Sequence, residues 1–379
     1  MEEQLTVKIF TENDKRLWNS FVDSSKWGDV LQFWQWGNTK QAEGWQPVRM
    51  GIYTNEQPLV LAQALMKKAS IIGNYLYVPH GPVFLEKGDL ARGLPKLIEA
   101  LKQYAQEHNC FVLEIEPKIG YLPRQDPSTQ EATDQKELSA NLAHFIDQEI
   151  KEIFLKSGFR LTNRNVQPKY KLYYDLDLSE EQLLGLMKKN TRYNVRLAEK
   201  KGVAVKEFAA NDPVLGQKLE QFYRLLQETQ QRIKGYPIRP LSSFQRLLTE
   251  FADSENLSLF EAGLGNEVIA MNISEKTKFW ASSFYAASNR LYPEVKAPYL
   301  LRWRAVQAAK NYGCKVYDFW GIIPGSEEHK GYSDTKLSFG GTRIDTYGVL
   351  SLPINQLKYF IWDKLIPLRS SLAHLFRKF

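Results

Sequence analysis

A chain of 379 residues, 43% hydrophobic and 25% charged, holds enough apolar material for two ordinary domains with their own cores, which excludes a single small module. Its formal charge of +7 asks for an anionic partner, a demand that nucleic acid, a nucleotide-linked substrate or a lipid headgroup would each meet. Residues 1–18 mix Glu2, Glu3, Asp14, Lys15 and Arg16 into their apolar positions and lack a secretory pattern, and the richest apolar run, 58–66, is too short to span a bilayer, so the expected location is cytoplasmic.

In chain order, residues 48–53 read as a strand, 54–57 as its turn, 59–66 as the returning strand and 75–79 as a third. Apolar residues at Leu94, Leu97, Ile98, Leu101 and Tyr104 then carry a helical spacing over 94–108, and Cys110 leads into a strand at 111–116. The same order returns later: strands at 257–262, 268–274 and 278–287, a helix at 300–312, then Cys314 and a strand at 315–320. Both cysteines fall at equivalent places and read as reduced core residues. Between the repeats, 120–137 is rich in Gln, Asp, Thr and Pro and reads as a solvated loop. Residues 177–200 place Leu183, Leu184, Leu186 and Met187 on one helical face and Lys188, Lys189, Arg192, Arg196 and Lys200 on another.

A hairpin, a third strand, a helix and a closing strand, present twice, predict an α/β (α+β) protein with two mixed-sheet domains side by side. The order resembles the Gcn5-related N-acetyltransferase fold, whose loop between third strand and helix cradles coenzyme A pyrophosphate. Here that loop, 289–298, has two prolines and no glycine, which argues against such a cradle and against a coenzyme A donor.

Seven blocks together resemble signatures of the Fem family of aminoacyltransferases: Gln32 to Gly37, Pro79 to Val83, Asn163 to Pro168, Lys189 to Arg196, Ala297 to Leu300, Tyr317 to Gly321 and Lys336 to Gly341. They run in family order over nearly the whole chain. The resemblance implies two tandem acetyltransferase-like domains, here 1–165 plus 345–379 for precursor binding and 166–344 for the tRNA side. Gly235, Pro237 and Pro240 interrupt the helix that begins near Pro213, so no coiled-coil arm is expected, as in FemX-type members. The implied reaction moves an amino acid from aminoacyl-tRNA to the stem peptide of a peptidoglycan precursor, either UDP-linked muramyl pentapeptide or lipid II.

Aminolysis of an activated ester needs alignment, exclusion of water and charge stabilisation more than a nucleophile. Consistent with that, the sequence has no G-x-S-x-G elbow, no cysteine beside a plausible histidine and no metal spacing among its five histidines, so neither metal nor organic cofactor is expected. By the resemblance, Lys336 acts at the aminoacyl end of the tRNA; the ordinary alternative is a solvated loop lysine. Thr335 stands where relatives carry an aromatic residue that stacks on the tRNA end, a contact worth ~1–3 kcal/mol per base. Lys40 and Arg239 resemble the basic pair aimed at the precursor's diphosphate, against the alternative of surface ion pairs. Glu116 resembles an acidic residue facing the cleft, where orienting the amine suits a carboxylate better than deprotonating it; capping or ion pairing is the other reading. Tyr285 resembles a precursor-site tyrosine, with core packing as its alternative.

Lys188, Lys189, Arg192 and Arg196 suit contact with the tRNA backbone, as they also suit a solvated helix face. The tail from Leu357 to Phe379 interleaves apolar and basic residues and suits peripheral membrane contact or packing on the first domain. Two rivals stay open: a coenzyme A-dependent N-acyltransferase, and a catalytically inactive protein that binds tRNA or precursor.

Overall fold

A computed structural model describes residues 4–55, 57–69, 72–123, 138–232, 238–325 and 330–365. Two mixed sheets of eight strands each organise them. The first contains β1 (Thr6–Ile9), β2 (Gln46–Thr54), β3 (Gln57–Lys68), β4 (Asn74–Pro79), β5 (Val83–Phe84), β6 (Cys110–Glu116), β8 (Arg160–Leu161) and β16 (Leu350–Pro353). The second contains β7 (Gly120–Tyr121), β9 (Tyr170–Asp175), β10 (Ala204–Ala209), β11 (Leu257–Leu264), β12 (Glu267–Lys276), β13 (Trp280–Ser288), β14 (Val316–Ile322) and β15 (Thr342–Thr346). Lateral order is β1-β2-β3-β4-β6-β16-β8 in one, with β5 on β3, and β10-β11-β12-β13-β14-β9-β15-β7 in the other.

The duplication read from the sequence is explicit in the pairing. Strands β2, β3 and β4 are antiparallel neighbours and β6 joins β4 in parallel. Strands β11, β12 and β13 repeat that, with β14 parallel to β13. A parallel step needs a crossover, and each is a helix, Lys87–Glu107 and Ala297–Tyr312. The first of these begins seven residues before the helix expected from sequence, because Gly88, Gly93 and Pro95 interrupt the apolar rhythm over its opening turns. The cysteines are both buried beside these crossovers, and burial pushes their thiols up to about 11 for Cys110 and about 12 for Cys314.

Two expectations change. The single amphipathic segment at 177–200 is two helices, Glu180–Leu186 and Lys189–Lys200, parted at Met187 and Lys188, whose ψ angles of 144° and 145° are extended. The loop reading of 120–137 fails at its start, where Gly120 and Tyr121 pair with Thr346 and Asp345; residues 124–137 lie outside the described residues.

Each sheet buries one face against its crossover helix: Leu90, Leu94, Leu97 and Leu101 pack in the first unit, Leu300, Leu301, Val306 and Ala309 in the second. A third apolar cluster joins the units, setting Trp18, Phe33, Trp34 and Trp36 against Phe222, Phe244, Met271 and Phe284. Helices Leu215–Arg232 and Leu241–Glu250 supply part of it, so among the described residues the segment after Pro213 packs onto the body and forms no coiled-coil arm. The indole N–H of Trp280 donates to Gly28 O at 2.5 Å across the same junction.

Candidate active site

Helix Trp34–Gln41 presents Trp36 and Lys40 one turn apart, so both fall on one face. The buried Lys40 ammonium lies 5.0 Å from the Trp36 ring centre and bonds Glu43 Oε2 at 2.6 Å. Arg239 comes from just before helix Leu241–Glu250, reaches Glu43 Oε1 at 3.3 Å and sits 5.3 Å from the same indole. The structure therefore brings Lys40 and Arg239 together around one carboxylate and one aromatic face. Burial and the Arg239 charge push the Lys40 amine down to about 8. Burial would raise Glu43, but its bond from Lys40 and the Arg239 charge outweigh that and hold it below the ordinary range. Two cations on one anion leave a net positive recess suited to an anionic group. Of the two prolines that flank Arg239, Pro240 is described and Pro237 lies outside the described residues.

Tyr285, on β13, is half-buried, 5.1 Å from Phe244 and 4.4 Å from Phe284, while Phe284 lies 5.7 Å from Trp36. One ring thus separates Tyr285 from the cationic recess.

Glu116 ends β6 with its carboxylate buried and accepts from Tyr77 Oη at 2.6 Å, from Val166 N at 3.2 Å and from Gln167 N at 3.1 Å. Burial pushes it up to about 7 against these donors. Its contacts tie the end of the first sheet to the chain entering β9.

Lys336 lies on helix Lys330–Leu337, buried to 2% exposure rather than solvated. Its ammonium donates to Gly321 O at 2.8 Å and to the Tyr332 hydroxyl. Burial first, and the Arg302 charge second, hold it well below the ordinary lysine range, with Asp318 opposing. Arg302, from the second crossover helix, has a buried Nε with no hydrogen-bond partner; nothing in the sequence singled it out, because only the crossover places it beside a lysine 34 positions on. After Lys336 the chain turns through Gly340 and Gly341 at φ 76° and 100°, where a side chain would meet Leu186 O at 2.1 Å and Tyr173 O at 2.5 Å. Thr335 is half-buried and its hydroxyl donates to Gly331 O at 2.6 Å.

The backbone N–H of Lys188 donates to Ser338 O at 2.9 Å, so the basic helix begins against the Lys336 turn. Lys188, Lys189 and Arg196 are exposed. Arg192 is half-buried, and its guanidinium caps the preceding helix at Leu184 O (3.3 Å) and at Met187 O.

Among the described residues no three His, Cys, Asp or Glu side chains are grouped to hold a metal ion. The start of helix Ala297–Tyr312 follows Lys296 in the left-handed region and has Pro298 in its first turn, which removes an N–H a phosphate cradle would use. No helix among the described residues is long and apolar enough to cross a membrane. Of the tail, Tyr359, Ile361 and Trp362 pack on the first unit, with Trp362 5.7 Å from Tyr75, while Leu357 and Phe360 are exposed and residues 366–379 lie outside the described residues.

Compared with known proteins, the FemAB family matches residues 14–278 and 265–365. The chain belongs to the FemAB family. A lipid II:glycine glycyltransferase of Staphylococcus aureus (strain MRSA252) is 24% identical over 245 residues, which cover 64% of this chain and 52% of that protein. The chain thus aligns with about half the length of the curated relatives it matches. A FemX crystal structure superposes with a TM-score of 0.77 at 17% identity, over 95% of this chain and all of that one. A tandem GNAT protein from the clavulanic acid biosynthesis pathway follows at 0.53 and 9%, over 93% of this chain and 99% of that one. The fold of this FemAB protein is accordingly two acetyltransferase-like units in tandem.

Proposed function

We propose that this FemAB protein transfers an aminoacyl group from aminoacyl-tRNA to the stem-peptide amine of a peptidoglycan precursor. The observation that carries the reading is the pair of basic sites in one FemAB chain: Lys40 and Arg239 around Glu43, and the buried Lys336 donor with the Arg302 charge near it. The first fits a diphosphate, the second the ester end of a tRNA. In this reading 1–165 with 345–379 hold the precursor, helped by Arg239 and Tyr285 from the second unit, and the remainder of 166–344 holds the tRNA, whose backbone runs along Lys188, Lys189 and Arg196. The amine attacks the ester carbonyl, Lys336 stabilises the oxyanion or terminal phosphate, and the ribose oxygen leaves with a proton. Glu116 acts by holding the Val166–Gln167 backbone at the junction, and Tyr285 flanks the acceptor.

The glycyltransferase relative, named for lipid II, favours a lipid-linked acceptor over the UDP-linked form. Peripheral contact with the inner membrane face through the tail, from a cytoplasmic location, suits that acceptor. The glycine-free 289–298 loop weighs against coenzyme A as donor.

The test is a transfer assay with a mixture of charged tRNAs and either soluble or lipid-linked muramyl pentapeptide, read by mass spectrometry. A gain of one aminoacyl mass is expected and names donor and acceptor together. No gain with any pair, while precursor binding persists, would leave a binding protein; saturable coenzyme A binding would favour the N-acyltransferase.

A further inference from the structure

Strand β14 pairs with β13 only from Val316 to Asp318, and its register against β9 slips between Asp318 and Gly321. The residue at the slip is Trp320, with φ at +62°, a left-handed backbone that a bulky side chain adopts at a cost and glycine adopts freely. Tertiary contacts hold it there. Asp318 accepts from Trp320 N at 2.7 Å through Oδ1 and from Lys171 Nζ at 3.0 Å through Oδ2, and neither Lys171 nor Asp318 has exposed surface. The Lys171 ammonium lies 4.4 Å from the indole centre, His80 6.0 Å and Phe284 5.1 Å. His80 is itself left-handed, at φ +46°, and bonded to Asp29 at 2.7 Å. The residue nevertheless keeps part of its surface exposed.

Its location is what gives this device a purpose. On one side Phe284 links the indole to Trp36, the ring beneath Lys40 and Arg239. On the other, the next residue, Gly321, gives its carbonyl to Lys336. The chain cannot slide there, because a side chain at Gly321 would meet Pro168 Cβ at 2.5 Å. A position that needed only the left-handed turn would be served by glycine, and one that needed only apolar bulk would be served in relaxed strand geometry. Keeping both the strain and the ring makes sense where the ring must face a particular place.

We propose that Trp320 is a positioning residue of the transfer reaction, a wall between the anion recess on Trp36 and the Lys336 ammonium that fixes the acceptor amine against the ester and keeps water away. This rests on the transfer reading above. It implies that the precursor is held at its diphosphate independently of Trp320, while productive alignment depends on it.

The full chain and its variants Trp320→Gly, Trp320→Phe and Trp320→Leu are assayed for kcat, for KM of the precursor, and for the ratio of ester hydrolysis to transfer from aminoacyl-tRNA, each per folded molecule. Trp320→Gly suits the backbone and deletes the ring, so kcat should fall about tenfold or more, the hydrolysis ratio should rise, and precursor KM should stay within about twofold. Trp320→Phe, which keeps a ring at the same backbone cost, should retain kcat within about threefold. If Trp320→Gly does not fold, Trp320→Leu, which keeps bulk without the ring, must show the same kcat loss at unchanged KM. Transfer by the ringless variant within about twofold of wild type, or a loss shared equally by kcat and KM, overturns the proposal. Absence of transfer by the wild-type chain would instead defeat the parent reading.

Discussion

The two parallel strand pairs of this molecule start alike and end differently. In the first unit β4 and β6 stay paired to the last residues, Pro79 against Glu116, and Glu116 then bonds Tyr77, Val166 and Gln167. In the second, β13 and β14 part after Ser282 and Asp318. At that parting stand Trp320, Gly321 and the Lys336 ammonium. A duplicated scaffold has thus been closed in one copy and opened in the other, and past Asp318 β14 keeps β9 but has no β13 partner, where Gly321 O takes a bond from Lys336. The closed copy supports; the open copy is where chemistry is expected.

Substitutions at the two strand ends should therefore fail in different ways, and this is the largest effect expected. Lys336→Ala should lower kcat for transfer per folded molecule by ~10²–10³, the range for loss of one oxyanion donor, beyond whatever the lost contacts to Gly321 O and Tyr332 do to stability. Glu116→Ala should act on stability alone: it strands the buried Tyr77 hydroxyl at ~1–3 kcal/mol and frees the Val166 and Gln167 N–H groups, while kcat per folded molecule persists. The Glu116 carboxyl, pushed up to about 7 from an ordinary 4.5, binds its proton more tightly folded than unfolded. Its protonation thus adds stability that is complete below its unfolded value and is lost as pH rises through about 7; the alanine variant should lack that trend in denaturant unfolding across pH. Exchanged outcomes, unchanged kcat per folded molecule at Lys336 and rate loss at Glu116, would break the comparison.

The acceptor side sharpens it through pH. Lys40, held at about 8, loses its proton in the free protein above that pH, so binding an anion must restore it. Precursor KM should rise above about pH 8, approaching tenfold per pH unit, and Lys40→Arg, whose guanidinium stays charged, should flatten the rise. A KM independent of pH in the wild type would remove Lys40 from the recess.

What was legible in the sequence follows the same division. The repeated hairpin, helix and strand could be read because period-2 and helical apolar patterns survive in both copies. The closing strands β9, β15 and β16 were not read, since β15 and β16 are short and all three pair with partners far away in sequence. Lys40, Arg239 and Lys336 were chosen through family resemblance, while Glu43 and Arg302, which set their charge, carry no local signature. The strain at Trp320 was invisible for a similar reason: tertiary contacts impose it on a residue that sequence alone would leave in an ordinary strand.

The smallest expected effect separates two kinds of basic residue beside the open copy. Lys189 and Arg196 are exposed, and each phosphate contact removed should reduce the salt dependence of tRNA binding by about one unit of log–log slope. Lys189→Ala and Arg196→Ala should each weaken tRNA binding a few-fold at moderate salt, and together they should flatten the slope by about two. Arg192→Ala should leave the slope nearly unchanged, because that guanidinium is committed to Leu184 and Met187 carbonyls at the end of the preceding helix. That variant should instead loosen the break at Met187 and Lys188, read as faster amide exchange there, and the Lys188 N–H bond to Ser338 passes that loosening to the Lys336 turn. A slope that falls as much in Arg192→Ala as in Arg196→Ala would mean that the guanidinium leaves its carbonyls to meet the tRNA, and the open copy would then reorganise on binding the donor.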